Sequence, residues 1–544
     1  APLPGEHGFR FFPRFYKHVV DTMGRIPYGG GSVAQNLVDT TQLYVGRFGR
    51  PPLVLPPRFP HDVGDLQTAL LLVVAAISGQ IEVPLDEVVF FAQKMWQFVT
   101  SCQERRNLDY ERVNWWDFIE ADGRSDGYQK YFGNGITRSL VAAKARRAST
   151  KTIGDIFVQI VFDILQPGVS ADRVLNGPTS DVWINPWLAY LRQRGVVYHL
   201  ESELRAIHYE RGAVRGATVA SGDHERKVEA DYYVAALPVE RMAALVTPEL
   251  LRGDPSLANL DELTEYVEWM NGIQFYLTED VPVARGHAIL VDSPWALTTI
   301  SQAQFWDRFD LTSYADGRVR GLLSVDISDW DVAGLNGKQA QNCTRDEIAT
   351  EVWAQLKQSV NGGGQDVLRD DHLHSWFLDP DIGLIDPSRP DREGNAEPLL
   401  VNYVDTWRLR PEAVTRIPNF FLASDYVRTY TDLATMEGAN EAARRAVNGI
   451  LRAARPDAAP CEIWDLQEPE VFLPLRAYDR IRFRKGLPWD DTPMVAARSA
   501  MGFLGQGTPR PAAPRSPSPA AETAAAARGS SDMGLQRLRI MGEQ

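Results

Sequence analysis

Near the end of the chain, two hydrophobic patterns follow one another directly. Phe420 to Ala423 is a short apolar run ending at Ser424-Asp425. It predicts a buried strand with an acid at its carboxyl end. A polar turn, Tyr426 to Thr431, precedes a long helical pattern whose expected N-cap is Thr431 or Asp432. Gly438, Ala442, Ala446 and Gly449 fall on one stripe of that helix, so it can approach a sheet or a ligand closely. Its first turn offers unpaired N–H groups and the positive dipole end, suited to a phosphate or an electron-rich carbonyl. The acid at the strand end can accept hydrogen bonds from sugar-like hydroxyls.

Upstream, the patterns change by region. His61 to Ser180 reads as mainly helical, with apolar helical spacing over Leu66 to Ser78 and Leu85 to Ser101. Asn114 to Phe118 is an aromatic knot expected in the core. Arg138 to Lys151 carries Lys144, Arg146, Arg147 and Lys151. It is read as a solvated helix face, with contact to an anionic membrane surface as the alternative. Trp187 to Arg194 predicts a helix; Val196 to Leu200, Leu204 to Tyr209, Val214 to Ala220 and Asp231 to Leu237 predict strands, the last stopping at Pro238. Glu268 to Leu277, Ala296 to Phe305 and Gly321 to Val325 suggest a second sheet, and Asp346 to Val360 a helix. Gly29-Gly30-Gly31 follows Pro27 with no strand before it, which reads as a surface turn rather than a phosphate loop. Cys461 to Asp491 ends in a charged helix closing at Gly486.

Composition bounds the rest. The 544 residues exceed one core and predict two or more domains. A net charge of −14 disfavours nucleic acid, which is bound through Lys and Arg. Cys102, Cys343 and Cys461 form no metal spacing and no disulfide framework, which points to a reducing cytoplasm. The nine histidines show no metalloprotease spacing, so no metal site is expected. Ala69 to Ile77 is too short to span a bilayer, which takes about 20 residues. Beyond Met494 the Ala/Pro/Ser-rich sequence predicts disorder.

The stretch Asn419 to Ala453 resembles the C-terminal flavin motif of the FAD-dependent amine oxidase and carotenoid (phytoene) desaturase superfamily. That motif has an apolar strand, Gly-Asp, a loop, and a helix opening Ser/Thr-Met/Ala-Glu-Gly-Ala. Asp425 matches the acid that holds the ribityl–pyrophosphate region. Thr435-Met436-Glu437-Gly438-Ala439 match the helix start beneath the flavin, and Ser424 stands where the family has Gly. Glu6, Gly8 and Arg10 match an acid-x-Gly-x-His segment that passes the flavin, with Arg in place of His. The pieces from Trp187 to Pro238 match the second FAD-domain segment, which implies that the Leu204 backbone lies by the adenine and that Ala236 and Pro238 lie near the cofactor. Trp407 matches a residue that often faces the flavin. The resemblance covers most of Gly5 to Asp491 and is nearest the bacterial hydroxysqualene-dehydroxylase-like and phytoene-desaturase-like branch.

The resemblance implies an α/β protein with a discontinuous Rossmann-like FAD-binding domain and a mixed sheet-and-helix α+β substrate domain. FAD-domain pieces are expected at 1–60, 181–240 and 399–455. The substrate domain is expected at 61–180 (helical part) and 241–398 (sheet part), followed by a helical segment at 456–493 and a disordered tail at 494–544. No G-x-G-x-x-G precedes Gly5, so the first βαβ unit is expected to be missing, about 40–60 residues when judged against a βαβ unit of about 30 plus linker. A chain without it is expected to hold FAD poorly.

The function implied is hydride transfer between an apolar isoprenoid carbon and FAD, with an amine oxidase of the same fold and a non-catalytic remnant as alternatives. Such chemistry needs a dry, shaped cavity more than a catalytic triad. Trp269, Phe275, Tyr276, Trp295, Phe305 and Trp306 suit a large apolar substrate, although core packing is the commoner use. Glu437 is conceivable as a general base, but capping is the favoured role. No catalytic residue is assigned, and oligomeric state is not encoded in the pattern.

Overall fold

A computed structural model describes residues 2–6, 8–55, 82–141, 143–164, 166, 169–383 and 394–491. The helix expected over Leu66 to Ser78 and the tail at 494–544 lie outside the described residues. The chain forms two compact units, one of residues up to 95 with 106–468, the other of 96–105 with the residues from 469 on.

In the first unit, the strands used below are β1 (Leu43–Arg47), β2 (Arg50–Leu55), β3 (Glu203–Glu210), β4 (Ala213–Ser221), β5 (His224–Val228), β6 (Tyr233–Ala236), β7 (Asn271–Leu277), β8 (Ala288–Leu290), β9 (Thr298–Ser301), β10 (Gly321–Ile327), β11 (Leu373–Leu378) and β12 (Phe420–Ala423). Its helices include α1 (His18–Gly24), α2 (Thr150–Ile164), α3 (Asn185–Gln193), α4 (Arg345–Val360) and α5 (Met436–Ala454). The second unit holds α6 (Leu473–Arg484). There Asp479 is buried and takes the Arg105 guanidinium at 2.9 Å and the Cys102 N–H at 2.9 Å.

Among the described residues the largest sheet runs β11-β7-β10-β9-β8-β1-β2. β7 and β10 are antiparallel over seven pairs, Asn271↔Ile327 to Leu277↔Gly321. Strand alternation gives this sheet two different faces. Ile273, Phe275, Leu277, Leu323, Val325 and Ile327 share a buried cluster with Ile348, Val352 and Leu356 of α4. The opposite face carries Gln274, Tyr276, Ser324 and Asp326, and residues 3–6 and 8–11 lie across it. Phe9 packs there with Tyr276, Ile300 and Leu322.

The second layer is a parallel pair, β6 beside β12, in register from Tyr233↔Phe420 to Ala236↔Ala423. α5 lies on β12 with its small residues inward: Gly438, Ala442, Ala446 and Gly449 are all buried. A Cβ at Gly449 would stand 2.6 Å from the Phe421 ring and 2.8 Å from Val414, so the close approach requires glycine. β3, β4 and β5 form an antiparallel meander.

Three expectations need correction. Val196 to Leu200 is not a strand but exposed coil, with Val197, Tyr198 and Leu200 all on the surface. An apolar run becomes a strand only when a sheet edge pairs with it, and no described strand does. The N-cap of α5 is Thr435 rather than Thr431 or Asp432, because the Asp432 carboxylate has other partners. Arg138 to Lys151 is not one helix face. A helix ends at Val141, α2 starts at Thr150, and Lys151 is buried. Gly29 and Gly30 form the tight turn of a small hairpin at φ +56° and +86°, as the turn reading expected. Among the described residues no helix is long and apolar enough to cross a membrane.

Gly449→Val should lower stability by about 1–3 kcal/mol, because the added carbons overlap Phe421 and Val414. A denaturant titration with no change in midpoint would contradict this packing.

Candidate functional site

The parallel register brings the carboxyl ends of β6 and β12 together, and with them four of the residues singled out above. Ala236 pairs with Ala423, Pro238 caps the short helix Val239–Ala243, and Ser424-Asp425 follow β12 directly. Ser424 adopts φ +136°, a region that favours glycine. The Ser-for-Gly replacement therefore places a side chain on a strained backbone. Burial pushes the Asp425 carboxyl above its usual pKa, and the Arg410 guanidinium pulls the other way. The Ser424 hydroxyl donates to Asp425 at 3.3 Å, and Arg410 Nη1 donates to the Asp425 carbonyl at 2.8 Å. The Tyr426 hydroxyl and Arg410 Nη2 are buried without a hydrogen-bond partner.

The helix start is built from the next four. Thr435 Oγ accepts the Gly438 N–H at 3.2 Å. A Cβ at Gly438 would lie 2.7 Å from the Leu433 carbonyl, so this turn needs glycine. Met436 packs in the cluster that holds Phe12, Tyr16 and Trp183. Glu437 is fully committed elsewhere. Its carboxylate accepts the N–H groups of Lys17, His18 and Val19 at 2.8, 2.9 and 2.9 Å and meets His18 Nδ1 at 2.7 Å. Glu437 thus caps the start of α1, the structural role favoured above.

Glu6, Gly8 and Arg10 lie with the large sheet instead. The Glu6 N–H donates to Gln274 at 3.0 Å, and its Oε1 accepts the Thr179 N–H at 3.2 Å. A Cβ on Gly8 would meet Asp326 Oδ1 at 2.2 Å. Arg10 donates to the Gly8 carbonyl at 3.0 Å. The chain then continues from this face to the start of α5, which it reaches at Lys17 and His18. Leu204, on β3, packs against the core cluster containing Phe421 and Ala442.

Pattern reading missed an ionic node around Asp432. The buried Asp432 carboxylate takes Lys151 at 3.1 Å, the Thr152 hydroxyl at 3.0 Å and Arg410 Nε at 3.3 Å, while Asn402 donates to its carbonyl at 2.9 Å. Lys151 also pairs with Asp155 at 3.3 Å. Burial alone would lower the Lys151 pKa, but Asp432, Asp155 and Glu111 outweigh it and hold the ammonium above its usual range. Glu111 is pushed up to about 7 by burial and by Asp432. It accepts the Trp407 N–H at 2.7 Å and the Ser149 hydroxyl. Trp407 itself lies under the Arg428 guanidinium, 4.4 Å from the ring centre. The Lys151–Asp155 spacing on an apolar helix was the only sequence signal, and it does not point to Asp432. Among the described residues no group of three or more His, Cys, Asp or Glu could hold a metal ion.

Comparisons with known proteins identify the family. The family described as "Flavin containing amine oxidoreductase" matches residues 173–451, just over half of the chain. The chain belongs to that family of FAD-dependent oxidoreductases. It is 25% identical over 374 residues to a probable zeta-carotene desaturase of Synechococcus elongatus, covering 65% of this chain and 72% of that protein. Solved structures of putrescine oxidase share the mixed α/β fold at 11% identity. The wild type bound to putrescine has a TM-score of 0.51, covering 83% of this chain and 88% of that one. A triple mutant has a TM-score of 0.52, covering 82% and 88%.

Lys151→Met should destabilise the protein by roughly 3–5 kcal/mol, because it removes the cation that buried Asp432 and Asp155 share and leaves each with one longer arginine contact, Arg410 at 3.3 Å and Arg106 at 3.4 Å. Calorimetry would read this, and an unchanged midpoint would show that Lys151 adds nothing to the stability of the node. Ser424→Gly should instead raise stability by about 1 kcal/mol by releasing the positive φ. A lowered midpoint would mean that the Ser424 hydroxyl outweighs the strain.

Proposed function

We propose that this chain is an FAD-dependent oxidoreductase that removes a hydride from an apolar, isoprenoid-type substrate. The observation that carries the reading is the convergence of Ala236, Pro238, Ser424 and Asp425 at one end of the parallel pair, ahead of the glycine-opened start of α5. The distant likeness to a probable zeta-carotene desaturase supports the substrate class.

The donor set fits the flavin end of the cofactor. Asp425 is a half-buried carboxyl whose one side-chain hydrogen-bond partner among the described residues is the Ser424 hydroxyl, at 3.3 Å, with its own and the Tyr426 backbone N–H beside it, so it keeps acceptor capacity for ribityl hydroxyls. The first turn of α5 would offer its remaining free N–H groups and a positive dipole end to an electron-rich carbonyl of the bound cofactor, the Gly438 N–H being held by Thr435. In this reading β6 and β12 belong to a discontinuous Rossmann-like layer, and the large sheet with α4 belongs to the substrate domain. Leu204 is assigned to the adenine side, and Glu6, Gly8 and Arg10 to the strip between flavin and substrate.

When bound, the flavin supplies the hydride acceptor. The protein's part is to orient the substrate and keep water out. Tyr276, Phe305 and Trp306, which pack with Phe9 on the face of the large sheet opposite α4, are assigned in this reading to the side nearer an apolar substrate. Phe275 and Trp295 pack on the other face with α4 and are core residues in this reading.

The test is spectroscopic and then kinetic. The purified protein, measured with FAD in saturating excess so that weak retention does not hide binding, should show the perturbed visible bands of bound flavin. Asp425→Ala should weaken FAD retention roughly tenfold to a hundredfold, the equivalent of one charged hydrogen bond of about 1.5–3 kcal/mol. The flavin should be reduced by polyene hydrocarbons and not by amines. No perturbed flavin bands in saturating FAD, or reduction by amines alone, would sink the proposal.

A further inference from the structure

Helix α6, which closes at Gly486, buries charge and exposes carbon. Its inward stripe is Phe472, Arg476, Asp479 and Phe483, all buried and spaced as one helix face. The two charges on that stripe are satisfied inside the second unit. Asp479 takes Arg105 and the Cys102 N–H, and Arg476 Nε donates to the Val99 carbonyl at 2.8 Å. One residue further on, the outward stripe holds Leu473, Ala477, Ile481 and Arg484, all exposed. Val471 and Leu487 flank it at the two ends. Val471 is 69% exposed, Ile481 56%, Leu473 55% and Leu487 43%. One exposed leucine is ordinary. A helix with an arginine and an aspartate inside, and Leu473 and Ile481 outside, reverses the pattern of a helix that faces water.

We propose that this outward face of α6 docks on an anionic lipid surface. Leu473 and Ile481, with Val471 and Leu487 beside them, enter the boundary between head groups and acyl chains. Arg480, Arg484 and Lys485 meet the lipid phosphates. With 12 residues α6 is far too short to span a bilayer, which takes about 20, and it lies in the plane of the interface instead. Such docking needs nothing from the flavin site.

Charge decides between lipid and other apolar partners. Arg480, Arg484 and Lys485 are exposed on or beside the strip. Among the described residues Glu104 is the acid that faces them, 2.8 Å from Arg480 and 3.9 Å from Arg484. Arg482, on the flank, pairs with Asp490 at 3.2 Å. The strip is therefore cationic in a chain whose net charge is −14. Long arginine and lysine stems can lie along apolar surface while their charged ends reach the phosphates. An anionic leaflet offers the apolar medium and the negative charge together. A second copy of the chain would set this strip against itself across a two-fold axis, arginine against arginine. The basic run from Arg138 to Lys151 offers no comparable surface. Lys144, Arg146 and Arg147 are paired with Asp331, Asp122 and Glu268, and Lys151 is buried.

Co-sedimentation of the intact protein with vesicles tests this. The protein should bind phosphatidylcholine vesicles containing one quarter phosphatidylglycerol, and bind pure phosphatidylcholine several-fold less. Binding to the anionic vesicles should fall in about 1 M salt, where the Debye length is about 3 Å. Arg484→Gln with Lys485→Gln should weaken partitioning roughly tenfold to thirtyfold. Leu473→Ser with Ile481→Ser should weaken it roughly tenfold or more. The serine pair should leave the melting temperature of the unbound protein unchanged, because both side chains stand in water there. Failure to bind the anionic vesicles at low salt overturns the proposal, as does binding that either double variant leaves unaltered. A lowered melting temperature in the serine pair would also overturn it, since the face would then be packed within the protein. So would a dimer, formed without vesicles and dissociated by the serine pair, because the strip would then belong to a second copy.

Discussion

The turn between β12 and α5 depends on one buried carboxylate. Asp432 stands at φ +46° and gathers Lys151, Thr152, Arg410 and Asn402 around it. A buried charge is tolerated only when it is paired and hydrogen-bonded, so these partners specify a single path for the turn. That path sets where α5 begins, at Thr435 and not at Asp432 itself. It also ties α2 to the turn through Lys151 and Thr152. Arg410 joins the node to the strand end, since it reaches both Asp432 and the Asp425 carbonyl. Strand end and helix start are therefore held in one frame, with no freedom for either to drift.

Glu437 provides the second constraint. Its carboxylate closes the N-terminus of α1 with three backbone N–H groups, which anchors the N-terminal strip to the first turn of α5. From that anchor the strip runs back to Phe9 and Gly8, where Asp326 fills the space a side chain would occupy. A carboxylate at each end thus fixes a segment with little regular structure of its own. The two carboxylates differ in environment. Glu437 is saturated with donors, whereas Asp326 lies against Gly8, where burial pushes its carboxyl up to about 7.

The large sheet shows the same division across its two faces. Alternate residues of β7 and β10 face α4 with the apolar side chains from Ile273 to Leu277 and Leu323 to Ile327, and face the N-terminal strip with a polar stripe. Of the aromatic residues expected to suit a large substrate, Phe275 and Trp295 lie on the α4 face, and Tyr276, Phe305 and Trp306 on the other. Strand parity separates Phe275 from Tyr276.

Local pattern determined much of this protein. The strand Phe420–Ala423, the small-residue stripe of α5, the strands from Leu204 to Leu237 and the helix over Asp346 to Val360 follow from short-range periodicity and hold in the structure. The flavin-like motif around Asp425 was legible because its residues are consecutive. Tertiary structure decided the rest, because the deciding contacts join residues far apart in the chain. Lys151 reads as a surface cation until Asp432 is brought against it, and Val196 to Leu200 reads as a strand although no described edge pairs with it. Ser424 is an ordinary serine in sequence and a strained one in the fold. Asp326 carries no signal at all, since a carboxylate acquires its pKa and its access only from the groups folded around it.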